Sequence, residues 1–223
     1  MTEREEVLIE PRWPVVVAVL VVFALLTSLR SRIHVLPFWV ACVAIVVIVV
    51  TLIAVSISTR RTLWLRIERV VIAGFFALYG PWTLVEVGVL LQTMSNPRSQ
   101  VGGLQLLTSS ITVWATNVVM FSLAYWRIDR GGPEARMNNV QVMPDWHFPI
   151  EDVPERLRPP DWVPEYLDYL FIAFTTSTSF SPTEAMPLTR RAKLLMMTEG
   201  SISLVTLLAI FARAINILGG SSK

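Results

Sequence analysis

The segment FTTSTSFSPTEAMPLT, residues 174–189, holds eight hydroxyl side chains, two prolines, one glutamate and no glycine. Hydroxyls both donate and accept, so they can replace water around a bare backbone or a cation. Glu184 adds a negative charge to the same segment. Four more polar groups, Glu86, Asn117, Glu199 and Arg213, interrupt long apolar runs. A charge within hydrocarbon is expensive and is a functional candidate by default. Each also has a structural alternative. Glu86 could pair with Asn117, Glu199 could accept hydrogen bonds from the hydroxyl-rich segment, and Arg213 could reach the far interface.

Soluble-type enzyme chemistry is not legible. No nucleotide-binding, dinucleotide-binding or zinc-ligand motif is present, and no nucleophile stands at a readable spacing from a base. The chain has two histidines and one cysteine. His147 has no ligand partner at metal spacing. Cys42 sits in an apolar run and reads as a small embedded hydrophobe. The expectation is therefore no enzyme, no cofactor and no metal. A net charge of +2 is too small to suggest nucleic acid.

The elements that must position these groups follow from hydropathy. The chain is 53% hydrophobic and 16% charged, with a mean hydropathy of +0.56. Soluble domains carry about 25% charged residues, so these values predict an all-α integral membrane protein. Five apolar segments approach the roughly 20 residues that cross a bilayer: 14–29, 36–57, 69–92, 104–126 and about 192–217. The first is expected to be a retained span, not a removed signal peptide. The valine-rich second is expected to be helical, because lipid leaves unpaired amides no solvent. Gly80–Pro81 predicts a kink in the third. Between the fourth and fifth lie the proline-rich residues 127–163. Proline at this density forbids a continuous helix, and Trp146, Phe148 and Trp162 suggest an ordered loop packed by its aromatics.

Residues 164–176 are apolar but too short to cross, and a breaker follows. That is the pattern of a re-entrant half-helix, with Pro164, Glu165 and Asp168 suited to its first turn. The hydroxyl-rich backbone from Thr175 to Thr183 would then be non-helical, sheltered by protein. The negative end of the half-helix would favour a cation nearby.

From Phe171 onward the chain resembles the pore module of potassium-channel-like, two-helix pore-loop cation channels. Phe171 takes the place of that motif's tyrosine, and Thr176, Thr178 and Ser179 those of its threonines. Phe180, Ser181, Pro182 and Thr183 stand where V-G-Y-G would be, Glu184 falls on the aspartate, and Pro187 and Thr189 match P-x-T. The resemblance implies an outer helix (104–126), a turret-like loop (127–163), a half-helix (164–176), a filter-like loop (177–189) and an inner helix (192–217). Residues 1–100 would then form a separate three-helix membrane region. It further implies a homotetramer around monovalent cations. The filter departs from the motif: without glycine, Ser181 and Thr183 would be strained in left-handed conformations, and Pro182 fixes φ. Potassium selectivity is not implied. The chain also resembles bacterial multi-span membrane proteins that end in this kind of segment, which implies an inner (plasma) membrane location but no activity.

Basic residues orient such a chain. Arg60, Arg61, Arg66, Arg127, Arg130, Arg190, Arg191 and Lys193 lie on one side, and Arg30, Arg32 and Arg98 on the other. The balance predicts a cytoplasmic N-terminus and loop, the reverse of a potassium channel. Three functions stay open: a channel-like protein, a non-conducting scaffold or partner-binding subunit, and a small proton-coupled transporter using Glu86 or Glu199.

Overall fold

The computed structural model describes residues 10–11, 13–28, 103–138, 140–160, 162–179 and 184–220, with scattered helical residues between Val43 and Gln92. Glu86, the Gly80–Pro81 pair, Phe180, Ser181, Pro182, Thr183 and the Arg213 side chain lie outside the described residues, as do most of 36–57 and 69–92.

Helix α1 spans Trp13–Ser28, α2 Gly103–Ile128, α3 Pro133–Met137, α4 Tyr166–Ser179 and α5 Arg190–Gly220. The fold is mostly helical. Among the described residues two segments, Leu107–Gly131 and Arg190–Ala212, are long and apolar enough to cross a membrane. Helices α2 and α5 run antiparallel, since Tyr125 meets Glu199 and Asn117 meets Ser203 eight residues earlier on α2 and four later on α5. Helix α4 begins beside the C-terminal end of α2, where the Ser122 and Tyr166 hydroxyls lie 2.8 Å apart. It then runs back along α2, bringing Phe174 against Trp114 with ring centroids 6.0 Å apart. Val15, Ala18 and Val19 of α1 close the same core with Val118, Leu123, Ile172 and Met196.

Helix α4 begins at Tyr166 and continues to Ser179, three residues beyond its expected end. Thr175 to Ser179 are therefore helical, which corrects the expectation of irregular backbone there. The reason is local. Thr175 donates to the Phe171 carbonyl at 2.9 Å, and Ser177 and Thr178 both donate to the Phe174 carbonyl, at 2.9 and 2.8 Å. Hydroxyls satisfied by the preceding turn do not pull the backbone out of the helix.

The expected loop 127–163 is built from short pieces. Arg130, Gly131 and Gly132 all have positive φ, at 52°, 79° and 100°, and this left-handed run stops α2. A Cβ on Gly132 would lie 3.1 Å from the Arg127 carbonyl oxygen, so the turn has no room for a side chain. Strand β1 (Trp146–His147) pairs antiparallel with β2 (Met186–Pro187), His147 opposite Met186. The loop is ordered by its aromatics, as expected: Trp146 is fully buried, its ring 4.7 Å from Tyr125 and 6.4 Å from Tyr169, and Phe148 packs on Tyr169 and Trp162. Thr189 caps α5, accepting from the Ala192 amide at 3.2 Å.

The β1–β2 pairing brings the chain back to where α4 began. Glu184 lies close enough to Asp168, in the first turn of α4, to feel its charge. The start of α1, the end of α2 and the starts of α4 and α5 thus share one end of the bundle, here termed the cap.

Candidate functional site

Among the described residues four carboxylates are almost wholly buried: Glu10, Asp129, Asp145 and Glu199. Three of them build the cap. Glu10, just before α1, accepts from the Trp126 indole at 2.8 Å, the Tyr166 amide at 3.1 Å and Arg136 Nη2 at 3.1 Å. It thereby ties α1 to the end of α2 and the start of α4. Arg136 also donates to the Trp126 and Asp129 carbonyls at 2.8 and 3.0 Å, which fills acceptors left open where α2 ends. Its guanidinium lies 4.9 Å from the Tyr169 ring centroid.

Asp129 accepts from the Tyr169 hydroxyl at 2.6 Å and the Asp145 amide at 2.7 Å, and faces Arg130 Nε at 3.4 Å. Asp145 takes both ends of Arg191, at 2.5 and 2.6 Å, and the Thr189 hydroxyl. Every oxygen of these three carboxylates is engaged, and each faces an arginine.

Glu199 differs. It is fully buried about two turns into α5. The Tyr125 hydroxyl donates to its Oε2, and its Oε1 has no hydrogen-bond partner among the described residues. No cation pairs with it among the described residues. Asn117 donates to Ser203 Oγ at 3.0 Å and approaches the Glu199 carbonyl oxygen at 3.5 Å. Asn117 and Glu199, both singled out by sequence, therefore meet in one cluster. Asn117 bonds α5, whereas the proposed partner Glu86 is outside the described residues. Glu199 accepts from Tyr125 of α2, and the Ser181 and Thr183 hydroxyls of the segment expected to reach it lie outside the described residues. Around this cluster the interior is lined by hydroxyls: Ser110, Thr112 and Thr116 on α2, Thr176 on α4, and Ser203 and Thr206 on α5 are buried. The Thr116 and Thr176 hydroxyls lack partners among the described residues.

In the expected filter segment, Thr176 is buried while Thr178, Ser179 and Glu184 are exposed. Burial of the Glu184 carboxyl, modest as it is, and the negative charge of Asp168 raise its proton affinity. His147 stands on β1 beside two carboxylates. Its two ring nitrogens face Glu151 and Asp152 at 2.8 and 2.9 Å, which raises its pKa above the ordinary 6.5, chiefly through the hydrogen bond to Asp152. No cluster of side chains among the described residues could hold a metal ion.

Sequence reasoning missed Glu10, Tyr125, Asp129, Arg136 and Asp145. Thr189 directly before the helical run from Arg190 was a readable helix cap. Glu10 gave no local signal, since its partners stand 116, 126 and 156 positions away. No protein-family model, no curated protein and no solved structure matches this chain, and the reading of the site rests on its geometry.

Proposed function

We propose that the chain is a channel-like, multi-pass integral membrane protein in which α4 is a re-entrant half-helix and residues 180–185 carry the turn beside a pore. One observation carries this reading: the chain leaves the cap in α4, 14 residues long, and is back at the cap by β2, which pairs with β1. At about 1.5 Å per residue α4 is about 21 Å long, short of the roughly 30 Å hydrocarbon core. Packed between α2 and α5, it has the protein shelter that non-crossing backbone requires at membrane depth. Leu167, Phe171 and Phe174 of α4, and Leu194, Met197, Leu208, Phe211 and Ile215 of α5, are exposed, which suits lipid or neighbouring protomers. In a homotetramer four copies of the 180–184 segment would meet, with Glu184 at the mouth near the cap and monovalent cations as the permeant class. This reading keeps the inner-membrane location that the resemblance implies, and the balance of basic residues favours a cytoplasmic N-terminus and cap.

A second reading, a non-conducting subunit that keeps the pore-loop fold, is favoured by the hydroxyls of Thr175, Ser177 and Thr178. They are spent on their own helix carbonyls and so are poorly placed as cation ligands.

The test is reconstitution into liposomes with particle imaging of the assembly. A four-fold particle that passes monovalent cations, with flux falling at least about tenfold in Glu184→Ala, would support the channel. A four-fold particle without flux would leave the scaffold reading. A monomer or dimer would remove both the pore and Glu184's role at its mouth. Flux lost in Glu199→Gln but retained in Glu184→Ala would instead indicate a carrier that uses the buried carboxyl.

A further inference from the structure

His147 stands between two carboxylates of one short turn. Its Nδ1 lies 2.8 Å from Glu151 Oε2 and its Nε2 2.9 Å from Asp152 Oδ2. A neutral imidazole has one N–H and one lone pair. Whichever tautomer forms, the lone pair faces a carboxylate oxygen, acceptor against acceptor. With the imidazolium, both nitrogens donate, and the same geometry becomes two charge-assisted hydrogen bonds.

This ring is tied to larger elements. It sits on β1, opposite Met186 of β2. That two-residue ladder receives the chain returning from α4 and passes it to α5. On the other side, the turn Pro149–Asp152 is held by Glu151, which accepts from the Phe148 amide at 3.3 Å and pairs with Arg130. Arg130 faces Asp129, the carboxylate at the centre of the cap. Glu151 is thus shared between a permanent cation, Arg130, and a titratable one, His147.

We infer that His147 is a proton-operated clamp: its protonated ring bolts the turn Pro149–Asp152 onto β1 and steadies the β1–β2 ladder, and loss of the proton releases the Asp152 side while Arg130 keeps Glu151. The charged groups that face it are Glu151 and Asp152 from the turn, with Arg130 and Asp129 behind Glu151. From β2 it faces Met186, which carries no charge, and the ionisable residue nearest to Met186 along the chain is Glu184. Behind β1, Asp145 is already taken by Arg191. The clamp stands whether or not the protein conducts, since it needs only the cap.

The sign follows from the direction of the shift. The folded pKa of His147 lies above its ordinary 6.5. The clamp's contribution is therefore complete below the ordinary value and is lost as pH rises through the folded value. Between the two, the opening equilibrium should increase by up to about tenfold per pH unit.

The experiment uses the full chain in detergent or nanodiscs. Amide hydrogen exchange of peptides covering 145–153 and 184–189 is followed from about pH 5 to about pH 8, corrected for intrinsic exchange. Protection should fall with rising pH in the native chain and be low and pH-independent in His147→Gln. Ring NMR of the native chain, which needs no variant to fold, should give a midpoint above 6.5 for His147. The other histidine, His34, is distinguished by its persistence in His147→Gln. Asp152→Asn should move the His147 midpoint down. A midpoint at or below the ordinary value, flat protection in the native chain, or unchanged pH dependence in His147→Gln would each overturn the clamp.

Discussion

The cap and the helix interior both bury carboxylates, and they treat them in opposite ways. In the cap, Glu10, Asp129 and Asp145 have both oxygens engaged and each faces an arginine. In the interior, Glu199 has one donor, Tyr125, a bare Oε1 and no arginine among the described residues. Removing one partner of a compensated buried pair strands a charge, so the cap resists rearrangement. An incompletely bonded polar group is the one that can exchange partners. The cap has the construction of a rigid frame, and the Glu199 cluster that of a place where state can change.

The largest test of this contrast is Arg136→Ala. It leaves Glu10 buried without its cation and reopens the Trp126 and Asp129 carbonyls, and should destabilise by about 3–5 kcal/mol in denaturant unfolding of the detergent-solubilised protein. A loss below about 1 kcal/mol, typical of an exposed pair, would mean that the cap is not closed as described. Tyr125→Phe deletes the only described donor to Glu199 and should cost about 1–3 kcal/mol by the same measurement. No effect would indicate that Glu199 has another partner. Gly132→Ala should destabilise the frame by about 1–3 kcal/mol, because its φ of 100° and the nearby Arg127 carbonyl leave no room for a methyl group. The smallest effect is expected for Glu199→Gln. The amide keeps an acceptor for Tyr125, and no described cation is stranded, so stability should change by less than about 1 kcal/mol. A loss as large as that of Arg136→Ala would erase the difference between the two regions.

Part of this was legible in the chain. The lengths of α2 and α5 follow from long, predominantly apolar runs, and the observed ends, Gly103–Ile128 and Arg190–Gly220, lie within a few residues of those read from hydropathy. The short α4 was legible as an apolar stretch too brief to cross, but its end was not. Side chains that bond their own preceding turn carried the helix through Ser179, whereas hydroxyl content alone suggested irregular backbone. Asn117 and Glu199 stood out because polar groups in apolar runs are conspicuous. Their meeting did not, since it depends on the antiparallel register of α2 and α5.

The sequence by itself determined that α2 and α5 are long apolar helices and that α4 is short, because propensity and hydropathy act over neighbouring residues. Only the tertiary structure decided that Glu10 joins Trp126, Arg136 and Tyr166, that His147 lies between two carboxylates, and that Glu199 alone among the described buried acids has no described cation. Those outcomes depend on contacts between residues far apart in the chain. Desolvation makes each buried charge demand a partner, but it does not say where along the chain that partner will be found.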